Sequence, residues 1–174
     1  KNSLKKIKAD FSKVKEFNKF SRLINKLKID SFINLVGYMD NISFQKTNLL
    51  SLTKTVQVNS IMPLLIQRNL IKKMELNKFG RILNISSIGV KYGGSEFTFN
   101  YSYSKHALEY IPSHLRKLAK SNILTNILRV GVVDTKLLRR IKSKNVKQRI
   151  KLIPIKRMAT RKEVSEVIYN LASE

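Results

Sequence analysis

Residues 81–129 read RILNISS, then IGVKYGGSEFTFN, then YSYSKHALEYIPSHLRKLAK, then SNILTNILR. Arg81 to Ile85 is a short run that is apolar on both faces, which predicts a strand buried on both sides. A loop with Gly89, Gly93 and Gly94 follows, then helical spacing from about Tyr101 to Lys120. Leu124 to Arg129 is a second strand of the same kind. A strand, a helix and a strand in this order predict parallel pairing, because parallel neighbours need a crossover between them.

The pattern extends outward from that unit. Upstream, Phe32 to Val36 is a compact apolar strand that stops at Gly37. From about Asn48 to Met74 the spacing is helical, with Pro63 placed to bend it. Phe11, Val14, Phe17, Phe20, Leu23, Ile24 and Leu27 recur at intervals of three and four, and Leu4 to Ala9 reads as a short strand ending at Asp10. Downstream, Thr160 and Glu163 have the form of a capping box opening a final helix. The expectation is one α/β domain over residues 1–174: a Rossmann-like, doubly wound parallel sheet in three α/β/α layers. Such sheets bind ligands beyond the carboxyl ends of their strands. Here those ends carry Asp10, Asn34 to Gly37, Ser86-Ser87 and Val130-Gly131.

Composition removes several classes of function. With 174 residues, 43% hydrophobic and 26% charged, the chain can bury a core without staples. It has no cysteine, which excludes thiol catalysis, disulfide scaffolds and cysteine-containing zinc sites. His106 and His114 are too few for a multi-histidine metal centre, so no metal is expected. No uninterrupted apolar run approaches the roughly 20 residues of a membrane span, and the first twenty residues lack a signal-peptide core. A cytoplasmic protein with no membrane partner is expected. The formal net charge of +24 raises a nucleic-acid reading. Lysines are spread along the whole chain, however, together with abundant Ile and Asn, as a compositional bias would spread them. The densest basic segment runs from Lys136 to Lys151 and includes Arg139, Arg140, Lys142, Lys144, Lys147 and Arg149.

Tyr101 and Lys105 stand one helical turn apart on one face. A phenol titrates near 10, too high for work at neutral pH, and a neighbouring ammonium favours its ionised form. Alone, the pair is also what an ordinary amphipathic helix in a lysine-rich chain would show. Its setting is more specific. Asn34-Leu-Val-Gly37, then Asn59, then Ile85-Ser-Ser87, then Tyr101-x-x-x-Lys105, then Arg129-Val-Gly131 with Thr135 resembles the short-chain dehydrogenase/reductase family in order and spacing. The stretch Pro154-Ile-Lys-Arg157-Met-Ala-Thr160 and the helix after it also resemble that family's downstream region.

The resemblance implies an NAD(P)-dependent oxidoreductase that moves hydride between a nicotinamide and a carbonyl or alcohol substrate. It implies that Tyr101 is the general acid/base, that Lys105 lowers the Tyr101 pKa and holds the nicotinamide ribose, and that Ser87 orients the substrate oxygen. Asn59 would hold a water linking Lys105 to solvent. Asp10 would contact the adenine, Asn34 and Gly37 would line the cofactor cleft with Gly131, and Thr135 would hold the carboxamide. The cofactor is NAD or NADP. The basic segment after Thr135 hints at an anionic or carrier-bound substrate such as a 3-oxoacyl thioester, and the family implies a homo-oligomer. Leu35 and Val130 stand where the family usually has Asn and Pro. No glycine-rich turn precedes Gly37, the first glycine, and the family's last strand does not follow the final helix, so by the resemblance the domain is expected to be incomplete at both ends. From the residues alone, Asn59 also reads as a polar helix-surface residue, Asp10 as a helix N-cap, and Ser86 as a second candidate beside Ser87. Two other functions stay open: a remnant acting as an interaction module, and a basic nucleic-acid binder.

Overall fold

Three parallel strands hold the short apolar runs side by side, in the order β1 (Ser31–Asn34), β2 (Gly80–Ser87), β3 (Ile123–Val130). The computed structural model describes residues 4–140 and 143–173. Ser31 pairs with Arg81 and Asn34 with Asn84; Gly80 pairs with Ile123 and Ser87 with Val130. All three carboxyl ends therefore lie along one edge. β1 is shorter than its apolar run: the Asn34 side chain accepts the Val36 N–H at 3.1 Å, turning the chain out of the ladder.

Helix α1 (Val14–Ile24) and the long segment α2 (Leu49–Val56), π-turn (Gln57–Ile61) and α3 (Met62–Asn77) precede β2. Ile82 of β2 and Ile123 of β3 join Phe17, Ile24, Ile66, Leu70 and Met74 in the main core. Leu83, next to Ile82, points to the opposite face by strand alternation and is fully buried. Against the sheet packs α8 (Arg161–Ala172), in contact with β1 and β2. The layers are those of an α/β/α sandwich.

Four local expectations meet different outcomes. Thr160 and Glu163 form the capping box at the start of α8, with Thr160 Oγ1 accepting the Glu163 N–H at 3.2 Å. Leu4 to Ala9 forms no strand, since none of the described strands pairs with it. The expected helix from Tyr101 to Lys120 is broken. After the short turn α4 (Gly89–Tyr92), α5 runs over Phe99–Leu108 and α6 over Ser113–Lys117. Pro112, with ψ 147°, separates them, because a proline disfavours helix at the residue before it. Pro63 falls in the first turn of α3, where the missing N–H is tolerated. Just before it the ladder slips by one residue, so that Met62 N donates to Gln57 O.

That slip keeps Leu49–Asn77 helical over 29 residues, long and apolar enough to cross a bilayer by length and composition. Its Met62, Ile66, Leu70 and Met74 are buried in the core, the condition of an internal helix in a packed domain. In the basic segment, Ser143–Leu152 forms helix α7. Lys142 lies outside the described residues, as do the side chains of Arg140 and Lys144.

Candidate active site

The helix α5 lies against β2 and brings its polar stripe to the carboxyl edge of the sheet. Lys105 is 2% exposed. Its Nζ donates to Val36 O at 2.9 Å and to Ile85 O at 2.7 Å, tying α5 to the chain beyond β1 and to β2. Two of its three N–H groups are spent on carbonyls. Loss of hydration draws the Lys105 pKa down to about 8. Its Nζ sits 5.8 Å from the centre of the Tyr101 ring.

Tyr101 is half-buried, and its hydroxyl is within hydrogen-bond reach of the Ser87 hydroxyl. Burial pushes the phenol above its usual 10, and the Ser87 hydrogen bond opposes that rise. In the protein alone, desolvation of the phenolate is the largest influence on this group. The phenol is therefore protonated at neutral pH.

The two serines have separate partners. Ser87 Oγ accepts the Gly89 N–H at 3.1 Å and faces Tyr101. Ser86 Oγ donates to Glu109 Oε1 at 2.6 Å, away from that hydroxyl pair. The loop between them and α5 requires a glycine at position 94. Its φ is +79°, and a Cβ there would come within 2.3 Å of Ser102 Oγ.

Asn59 is fully buried in the π-turn, not on a helix surface. Its Oδ1 accepts the Tyr38 N–H at 2.7 Å, and its Nδ2 donates to Tyr38 O at 2.9 Å and Ser104 Oγ at 2.8 Å. Ser104 Oγ in turn donates to Tyr101 O at 2.7 Å, and Ser60 Oγ donates to Ser104 O. The carboxamide thus clamps the loop after β1 to the helix that carries Tyr101. Single-turn π segments recur at functional sites. Asn34 is also buried, its Nδ2 donating to Asn84 Oδ1 at 3.1 Å, so its side chain joins β1 to β2.

The remaining candidates lie further out. The Asp10 carboxylate accepts the Ser12 N–H and hydroxyl at 2.9 and 2.8 Å, closing the turn before α1. These hydrogen bonds, ahead of the nearby lysine charges, hold its carboxyl below the usual range. A Cβ added to Gly37 would only touch Leu137, and one on Gly131 would meet nothing within 4 Å, so both flank open space. Thr135 accepts the Leu138 N–H through Oγ1 at 3.4 Å. Tyr103, His106 and His114 are exposed. Among the described residues no group of His, Asp or Glu could hold a metal.

Ser104 and Glu109 are not among the residues expected from the sequence. Ser104 lies inside the Tyr101–Lys105 motif. Glu109 continues its four-residue spacing, a signal that was available.

Residues 4–174 match the family described as Enoyl-(Acyl carrier protein) reductase. The 3-oxoacyl-[acyl-carrier-protein] reductase FabG of Aquifex aeolicus (strain VF5) is 32% identical over 148 residues, covering 84% of this chain and 59% of that protein. The acetoacetyl-CoA reductase of Acinetobacter sp. (strain RA3849) is 27% identical, with 84% and 59% covered. A crystal structure of a 3-oxoacyl (acyl-carrier-protein) reductase from Agrobacterium tumefaciens C58 with NADP bound superposes with a TM-score of 0.82. It is 23% identical and covers 95% of this chain and 66% of that one. The chain thus spans about 59% of the length of these two curated relatives.

Proposed function

The chain belongs to the short-chain dehydrogenase/reductase family, and we propose that it carries the proton-handling half of an NADP(H)-dependent reductase acting on 3-oxoacyl thioesters. The observation that carries this reading is the meeting of the Tyr101 and Ser87 hydroxyls beside the buried Lys105 ammonium.

The residues fit the nicotinamide-ribose end of such a site. Lys105 keeps one N–H beyond its two carbonyl bonds, and Gly37 and Gly131 leave space at the ends of β1 and β3. Lys105, with the backbone near Gly37 and Gly131 and the Thr135 hydroxyl, would hold the nucleotide. When bound, the nicotinamide supplies the hydride.

The protein's own part is to orient and protonate. Ser87 can donate to the substrate carbonyl oxygen while its own oxygen accepts from Gly89. As negative charge develops on that oxygen, Tyr101 transfers the phenolic proton to it, giving the hydroxyl of the 3-hydroxyacyl product. The Lys105 ammonium steadies the phenolate left behind. Its burial among carbonyls keeps water from competing for the charge.

The substrate class rests on the names of the curated relatives, and the choice of NADP on the nucleotide in the related crystal structure. The basic residues Arg139, Lys147, Arg149 and Lys151 beyond Thr135 suit an anionic carrier. A cytoplasmic setting goes with this reading. So does self-association, given the exposed Leu49, Leu50, Ile61 and Leu64 along one helical segment.

The test measures nicotinamide oxidation by the protein at its full natural length. Carrier-bound and CoA-bound 3-oxoacyl substrates, a simple ketone, and both nucleotides are compared. Thioesters with NADPH are expected to exceed the ketone by at least about tenfold in kcat/KM. Equal rates on the ketone would remove the thioester assignment, and a preference for NADH would remove the nucleotide one.

A further inference from the structure

The stripe that bears Tyr101 and Lys105 continues, at the same four-residue spacing, to Glu109 at the carboxyl end of α5. Its side chain is 12% exposed. Glu109 Oε1 accepts Ser86 Oγ at 2.6 Å and Arg129 Nε at 2.8 Å, and Oε2 accepts Arg129 Nη2 at 2.6 Å. Ser86 and Arg129 face each other across β2 and β3 in register. One carboxylate therefore joins the end of a helix to two strands, each at its last residue but one.

Arg129, then Ser86, holds the Glu109 carboxyl below the usual range against the pull of burial, with His106 adding a smaller effect in the same direction. A two-pronged guanidinium–carboxylate pair with a third donor fixes direction as well as distance. The attachment falls next to the reacting groups, since Ser86 precedes Ser87 and Glu109 follows Lys105 by one turn. We propose that Glu109 is a positioning residue: its grip on Ser86 and Arg129 sets α5 so that Lys105 reaches the Val36 and Ile85 carbonyls and Tyr101 meets Ser87. This inference rests on the reductase reading for its effect on rate, but not for its effect on Lys105.

Two readings on folded Glu109→Ala test it. The first is the Lys105 ammonium titration, followed by nitrogen-15 NMR and assigned by its absence in Lys105→Met. A released α5 rehydrates the ammonium, so the titration should move up from about 8 by about one unit. The second is steady-state kinetics in the full-length protein. There kcat should fall by about tenfold or more with nucleotide KM changed less than about twofold, because positioning is lost while binding groups remain. Glu109→Gln, which keeps an acceptor for Ser86, should lie between wild type and alanine in both. If the alanine variant fails to fold, Arg129→Met carries the same two readings.

A Lys105 titration that does not move in the folded variant overturns the inference whatever the rate. With an active wild type, a kcat within about twofold of it overturns the inference as well. A wild-type protein without reductase activity rejects the proposed function instead, and the titration still decides the role of Glu109.

Discussion

Tyr101→Phe should lower turnover by about 10²–10⁴-fold, the range for removing a positioned general acid, with folding and nucleotide affinity close to wild type. The hydroxyl is the sole atom removed, and it lies where Ser87 can share a hydrogen bond with it. Ser87 Oγ still accepts from the Gly89 N–H, and Ser87 is only part-buried, so its own O–H can turn to water. The ring, half-buried and beside the Lys105 ammonium, keeps its contacts. Because burial holds the phenol above 10, wild-type Tyr101 carries its proton through the neutral range. Steady-state rates and a nucleotide titration on the same preparations check both halves of this expectation. Full turnover in the phenylalanine variant would show that the proton comes from elsewhere.

Lys105→Met is expected to act on rate and on stability through one fact, the buried ammonium. The variant should lose at least about 10²-fold in kcat, as when a preorganised donor is removed from a site. The wild-type rate should decline as pH rises through about 8, where the ammonium loses its charge, and the variant should lack that decline.

For stability the sign follows from proton uptake. The folded pKa is depressed from 10.5 to about 8, so between those values the unfolded chain binds more protons and stability rises with pH. The unfavourable contribution of burying the charge is fully present below about 8 and is relieved as pH approaches 10.5. Its size is about 3 kcal/mol by the conversion of pKa shifts to free energy. Denaturant midpoints of wild type and variant, taken at pH 7, 8, 9 and 10, give a difference curve. That curve should rise in favour of the wild type above pH 8; a flat curve would place the Lys105 charge in water.

The parts of this fold that could be read in advance are those set by local chemistry. β2 and β3 announce themselves as runs apolar on both faces, and Thr160 with Glu163 announces the start of α8. The Tyr101–Lys105 spacing is a property of any helix. What escaped reading depends on partners distant in sequence. Leu4 to Ala9 has strand-like composition but finds no ladder among the described strands. Asn59 looks like any asparagine of an Asn-rich chain until the π-turn aims it at Tyr38, 21 residues earlier. The Tyr101 proton affinity turned out raised because burial, which no spacing reveals, dominates it. Ser86 and Ser87 differ only in facing: strand alternation separates adjacent residues but does not say which meets the helix. The +24 charge belongs mostly to exposed lysines, and the lysine that matters at the site is the buried one.

The central claim is that this edge of the sheet delivers a proton to a carbonyl as hydride reaches its carbon. The most direct measurement uses NADPH carrying deuterium at both nicotinamide C4 positions, a 3-oxoacyl thioester, and the full-length protein. Mass spectrometry should find one deuterium on the new carbinol carbon of each 3-hydroxyacyl product, with product formation nearly abolished in Tyr101→Phe. Product without deuterium, no product at all, or equal labelling at equal rate in Tyr101→Phe would contradict it.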